Sequence, residues 1–149
     1  MKKISLIILM LFLLGCGYTA VYKDRNFQNI QINVSNLSGN RDFNNLLLME
    51  LAKFMNSSGD ELYILEVNTE YNKIDYAKDA TGKASEFELN LLVTFNVEHD
   101  GIKKTISLNE RFYTNVSENK FKQKNYENII MKNFATSIKD QLIFRLSTF

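Results

Sequence analysis

Residues 86–98, EFELNLLVTFNVE, decide the fold. Phe87, Leu89, Leu91, Val93, Phe95 and Val97 fall on one side of an extended chain, and Glu86, Glu88, Asn90, Thr94, Asn96 and Glu98 fall on the other, with Leu92 as the apolar exception. A period of two marks a strand with one buried and one wet face, so a second layer must cover the apolar side. His99-Asp100-Gly101 follows directly, and Asp-Gly is a favoured pair for a two-residue hairpin. The return strand puts Ile102, Ile106, Leu108 and Phe112 on one side. Upstream, the polar connector DATGK at 79–83 leads back to a long strand at 62–76. Apolar parity in that strand changes from Val67 and Tyr71 to Ile74 and Tyr76, for which a bulge near Asn72 is the expected cause.

Working outward, residues 28–35, QNIQINVS, alternate with Ile30, Ile32 and Val34 on one face, and residues 36–40, NLSGN, supply turn and cap chemistry. From 41 to about 56, Phe43, Leu46, Leu47, Leu51, Phe54 and Met55 recur at spacings of three and four, the pattern of an amphipathic helix, which stops at Ser57-Ser58-Gly59-Asp60. Residues 120–146 read as a second, longer helix with Tyr126, Ile129, Ile130, Phe134, Ile138, Leu142, Ile143 and Leu146 as its stripe. Each strand has one apolar face and each helix one stripe. The order strand, helix, three strands, helix therefore predicts an α+β two-layer sandwich: a four-stranded mixed sheet, its last three strands an antiparallel meander, with two helices on one face and the first strand joined by a right-handed helical crossover.

At 149 residues the chain has room for one such domain. Zero Pro and 6 Gly, against roughly 7 and 10 for average usage, exclude collagen-like, Pro-rich and Gly-rich phosphate-loop architectures. One His and one Cys remove most zinc-site and nucleophile-histidine arrangements, so no cofactor or metal is expected, and no nucleic-acid patch is visible. Composition leans away from catalysis. Glu86 and Glu88 share a strand face about 7 Å apart, within the range of an inverting glycosidase pair, yet they point the same way and cannot flank a sugar. His99 beside Asp100 has no nucleophile specified nearby.

Met1-Lys2-Lys3 opens on positive charge, and ISLIILMLFLL at 4–14 is eleven residues long, the length of an export segment and short of the roughly 20 that span a bilayer. It ends in Leu13-Leu14-Gly15-Cys16, the pattern of a bacterial lipoprotein box. The expected organisation is a signal peptide at 1–15, a lipidated Cys16 with its tether at 16–27, and a single domain at 28–149; a core cysteine behind an ordinary signal peptide is the plainer alternative. Several acyl chains, at roughly 0.8 kcal/mol per buried CH₂, would anchor the chain durably in the membrane. Gly17 stands where the common inner-membrane retention signal has Asp, so the outer membrane is the expected location, with the domain facing the periplasm. Loss of Lys2 and Lys3 with the leader leaves 16 basic against 17 acidic residues, so an anionic partner must be met by a local patch.

Leu13-Leu14-Gly15-Cys16-Gly17-Tyr18, Ala84-Ser85-Glu86-Phe87-Glu88-Leu89, Arg111-Phe112-Tyr113 and Gln141-Leu142-Ile143-Phe144-Arg145-Leu146, in that order and spacing, resemble the LPS-assembly lipoprotein LptE family over the whole chain. Thr19-Ala20-Val21 stands where the family usually carries a Pro. The resemblance implies the same sandwich, no enzymatic activity, and an outer-membrane subunit that plugs and helps assemble the LptD β-barrel and binds lipopolysaccharide in transit to the outer leaflet. It also implies basic lipopolysaccharide-binding residues at Lys83 and Lys124, with Lys120 and Lys122 around Phe121 thickening the second patch, although such a run is also what a solvated helix start looks like. For contact with the barrel wall it points to the outward residues Asn90, Leu92, Thr94, Asn96, Arg111 and Tyr113. A lipoprotein acting as a periplasmic binding or scaffold module without a barrel is the alternative.

Replacement of Cys16 by Ala is expected to abolish metabolic labelling of the protein with a radioactive fatty acid; labelling that persists would place the lipid elsewhere.

Overall fold

The structure is a computed structural model that describes residues 29–149; the expectations for the leader, Cys16 and the tether lie outside the described residues. Four strands, β1 (Ile30–Gly39), β2 (Glu61–Lys78), β3 (Ala84–His99) and β4 (Ile102–Asn115), form one sheet in that order. Helix α1 (Arg41–Met55) connects β1 to β2, and α2 (Lys120–Leu146) follows β4. β1 and β2 run parallel across the α1 crossover, and the other two pairings are antiparallel, so the sheet is mixed and the fold α+β as the sequence predicts.

Leu89, Leu91, Val93, Phe95 and Val97 are buried on the inner face of β3 and join Leu65 and Val67 of β2, Phe43, Leu47 and Leu51 of α1, and Phe134, Ile138 and Leu142 of α2 in one core. At roughly 1.5–3 kcal/mol for each large apolar side chain buried, this layer is the main stabilising element of the sandwich. Asp100 at φ 49° and Gly101 at φ 78° make the two-residue turn between β3 and β4, and the paired positive φ values are those of a type I′ hairpin.

The crossover is fixed by a small polar network. Gly39 sits at φ 95°, and a Cβ there would stand 1.9 Å from the Thr69 carbonyl oxygen. The Thr69 hydroxyl donates to Asn44 Oδ1 at 2.6 Å and accepts from the Asn40 backbone N–H at 2.9 Å, while Asn44 Nδ2 donates to the Ser38 carbonyl at 3.1 Å. Asn40 caps α1 by accepting from the Phe43 N–H at 2.9 Å. Buried Asn44 and Thr69 thus satisfy each other where strand becomes helix.

Several local expectations are corrected. β1 does not end at 35: residues 36–39 stay extended because β2 supplies a parallel partner, after a bulge between Val34 and Asn36. No bulge lies near Asn72, since β2 and β3 pair without interruption from Ile64↔Glu98 to Asp75↔Phe87 and the irregularities come at 75–78. Ile74 and Tyr76 do not rejoin the core; they sit on the outer face, 50% and 57% exposed, where the Tyr76 ring meets the Tyr113 ring at 4.6 Å. Tyr126 and Ile129 drop out of the α2 stripe, at 45% and 54% exposed. Tyr126 packs edge-on against Phe112 at the rim of the sheet, because β4 is the edge strand and offers no further strand to cover. Ile102, next to the hairpin turn, is also exposed.

Gly39→Ala is expected to destabilise the fold by about 1–3 kcal/mol through steric conflict and strain. Thr69→Val, which takes the hydroxyl donor from buried Asn44 Oδ1 while the Asn40 N–H keeps the Thr69 carbonyl at 3.1 Å, should cost a similar amount. Thermal melts report both as a fall of roughly 4 °C per kcal/mol.

Candidate functional site

Two surfaces collect the candidate residues. The first is a cleft of about 510 Å³ where the far end of the β2–β3 hairpin meets the start of α2, lined by Lys73, Phe87, Val116, Lys120, Gln123, Lys124 and Glu127 among others. Asn119 starts the helix by accepting from the N–H groups of Phe121 and Lys122. The turn before it is held as the Ser117 N–H donates to Gln123 Oε1 at 2.8 Å and Gln123 Nε2 donates to Glu127 Oε1 at 2.8 Å. Lys73 donates to the same Glu127 oxygen at 2.6 Å and lies 3.8 Å from the centre of the Phe87 ring. Sequence reasoning missed Lys73, because its inward position follows from the unbroken β2–β3 register where a bulge had been expected. Among the described residues, Lys120 and Lys124 have no ion-pair partner. One helical turn apart, they line the same cleft as Phe87, a combination of cations and an apolar ring suited to an anion carrying phosphate and apolar parts.

The other two lysines go elsewhere. Lys122 faces a separate recess with Tyr113, Gln123 and Tyr126. Lys83 closes the exposed hairpin turn, where its N–H donates to Asp79 Oδ1 at 3.1 Å, and it does not line the cleft. The Asp79 carboxyl is held below the usual range by hydrogen bonds from the Thr81 hydroxyl and N–H and from neighbouring backbone N–H groups.

The second surface is the outer face of the sheet, which the helices leave uncovered. Leu92, Thr94, Arg111 and Tyr113 all lie on it, with Asn90 and Asn96. Arg111 Nε donates to Asn109 Oδ1 at 3.2 Å and stands 3.8 Å from Glu88 Oε1; Asn109 Nδ2 donates to Asn90 Oδ1 at 2.8 Å and to the Leu91 carbonyl at 3.0 Å. The contacts of Asn109 with Asn90 and Leu91 and of Arg111 with Glu88 cross from β4 to β3 and hold the polar side chains in rows beside the Tyr76–Tyr113 pair.

Glu88 is engaged with Arg111, and Glu86 lies across from Asn115. His99 stacks on Tyr63 at 4.3 Å, with Nδ1 2.9 Å from the Leu62 carbonyl oxygen and Phe149 edge-on beside it. Among the described residues no group of three or more His, Cys, Asp or Glu is placed to hold a metal ion, and no helix is long and apolar enough to cross a membrane.

Behind the cleft, the Tyr71 hydroxyl is buried and has no hydrogen-bond partner among the described residues. Burial, and then the charge of Glu127, push its pKa up to about 12 from 10. Tyr63 is likewise pushed up to about 12, by burial and then by Glu61, but its hydroxyl donates to the Leu146 carbonyl at 3.1 Å. A folded-state pKa above the unfolded value contributes stability that is complete below pH 10 and is lost as the pH rises through 12. The melting temperature is therefore expected to fall across about pH 10–12. Tyr71→Phe should hold or raise the neutral-pH melting temperature and flatten that fall, whereas Tyr63→Phe should cost about 1 kcal/mol at neutral pH.

No family model and no curated protein matches the chain. Among solved structures it is similar to the rare lipoprotein B from Shewanella oneidensis, with a TM-score of 0.61 at 14% identity, covering 79% of this chain and 94% of that one. It is also similar to a minor lipoprotein from Acinetobacter baumannii, with a TM-score of 0.55 at 21% identity, covering 78% of this chain and 94% of that one. For lipoprotein B from Nitrosomonas europaea the TM-score is 0.54 at 12% identity, covering 80% and 82%. At these identities the likeness is one of fold: this chain has the two-layer architecture found in several bacterial lipoproteins.

Proposed function

We propose that this protein is a non-enzymatic lipoprotein, anchored in the outer membrane through acyl chains on Cys16, that occupies and helps assemble the LptD β-barrel and binds lipopolysaccharide on its way to the outer leaflet. The observation that carries the proposal is the division of the domain into one face closed by its own helices and one long face left open. Leu92, Thr94, Arg111 and Tyr113 are all on the open face, on rows of side chains already tied to one another. A sandwich whose apolar layer is satisfied within the chain can be seated in a larger protein without unfolding. The lipoprotein box and the fold shared with known lipoproteins support the anchor. Lys120 and Lys124, which have no ion pair among the described residues and line the cleft with Phe87, are the groups best placed to take lipopolysaccharide phosphates.

Extraction of the full-length lipoprotein from its own membranes in mild detergent should bring a stoichiometric large β-barrel with it; recovery of the lipoprotein alone would favour the scaffold alternative. Lys120→Glu combined with Lys124→Glu is expected to weaken lipopolysaccharide binding about tenfold or more while leaving the thermal melt unchanged. Lys83→Glu should have a smaller effect, and equal losses for the two variants would remove the cleft as the binding site.

A further inference from the structure

Charge is segregated between the two layers of the domain. The open face carries Glu66, Glu70, Glu86, Glu88 and Glu98 against Lys103 and Arg111, with the glutamates spread over β2 and β3. Helix α2 carries five lysines and Arg145 against Glu127 and Asp140. Near neutrality for the whole chain conceals this two-sidedness.

On the open face, Lys103 lies 3.3 Å from Glu98 and Arg111 lies near Glu88, whereas Glu66, Glu70 and Glu86 have no ion pair among the described residues. Glu66 and Glu98 line one recess of about 320 Å³ together with Asn96, Thr105 and two lysines, Lys103 and Lys104, so the recess itself is balanced in charge. Toward the other end of the same face, Tyr113 is 48% exposed and meets Tyr76 beside exposed Ile74. Aromatic anchors within a polar surround are the composition of a protein-docking surface. Five carboxylates facing a phosphate-rich lipid would repel it, so this face and the lysine cleft cannot serve the same ligand.

We infer that the open face is keyed to a basic protein wall: the partner sets lysine or arginine side chains opposite Glu66, Glu70 and Glu86, and packs apolar surface on Tyr76 and Tyr113. This rests on the barrel-plug reading and adds the sign of the wall and the orientation of the plug. The acidic sheet turns toward the barrel, and the basic start of α2 turns toward the anionic lipid.

The test is co-expression of the full-length lipoprotein with the large barrel of its own organism, followed by affinity capture in mild detergent at salt from about 0.05 to 0.5 M, over which the screening length shortens severalfold. Barrel recovered with the wild-type protein should decline as salt rises. Glu66→Lys combined with Glu70→Lys should reduce it about tenfold at low salt without altering the thermal melt. Lys120→Glu combined with Lys124→Glu should leave it unchanged. Capture of the barrel that is indifferent to salt and to Glu66→Lys/Glu70→Lys would overturn the inference and leave the plug intact. Absence of the barrel from the wild-type capture would overturn both. Two further results would overturn the basic-wall assignment: loss of lipopolysaccharide-core oligosaccharide binding in Tyr76→Ala/Tyr113→Ala with barrel capture retained, which would make the face a glycan surface, or a changed sedimentation of the lipoprotein alone in Glu66→Lys/Glu70→Lys, which would make it a self-association surface.

Discussion

The inner face of β3 is the surface on which everything else is assembled. Leu89, Leu91, Val93, Phe95 and Val97 share one core with the apolar stripes of α1 and α2, and their strand is paired along nearly its whole length with β2 and β4. Because the side-chain period of a strand is two, a slip of one residue would carry this entire set to water and bring Glu86, Glu88 and Glu98 under the helices. That penalty holds the register, and the register in turn sets the outer rows: Asn90 beside Arg111, Glu88 beside Tyr113, Thr94 beside Ser107. Order on the open face is therefore inherited from burial on the closed one.

A second constraint acts where the chain turns from strand to helix. The parallel pairing of β1 with β2 needs the chain to leave the sheet at Gly39, cross over as α1, and return, and the close approach of Gly39 to the Thr69 carbonyl leaves no room for a side chain. Buried Asn44 and Thr69 are polar in an apolar setting, but each supplies what the other lacks, so the desolvation of both is offset locally. This corner ties the first strand to the meander and closes the sheet on the side opposite β4.

The helix layer shelters the two halves of the sheet unequally. Residues 72–76 of β2 are exposed on both faces, while α2 begins beside them and brings Lys120 and Lys124 to the same end. The Lys73–Glu127 pair and the Phe87 ring bind hairpin and helix together there and hold the floor of the cleft. The cleft lysines and the sheet-face glutamates thus occupy different layers of the domain.

Local periodicity by itself determined the element inventory, because periods of two and of about three and a half are properties of consecutive residues. The alternation at 86–98, the Asp100-Gly101 turn and the span of α2 were all legible for that reason. It also determined that Leu92, Thr94, Arg111 and Tyr113 share one outward face, since parity along paired strands carries that far. Which apolar residues stay wet was decided by the tertiary structure: Ile74 and Tyr76 have core-like chemistry but fall on the outer face that no helix covers, and Tyr126 and Ile129 stand where the sheet ends at β4. The grouping of lysines was decided there too. Lys83, Lys120, Lys122 and Lys124 look alike in sequence, yet packing sends Lys120 and Lys124 to one cleft with Lys73 from a distant strand, Lys122 to a separate recess, and Lys83 to a hairpin turn. Proximity between residues far apart in the chain is set by register and layer contact, which no local pattern encodes.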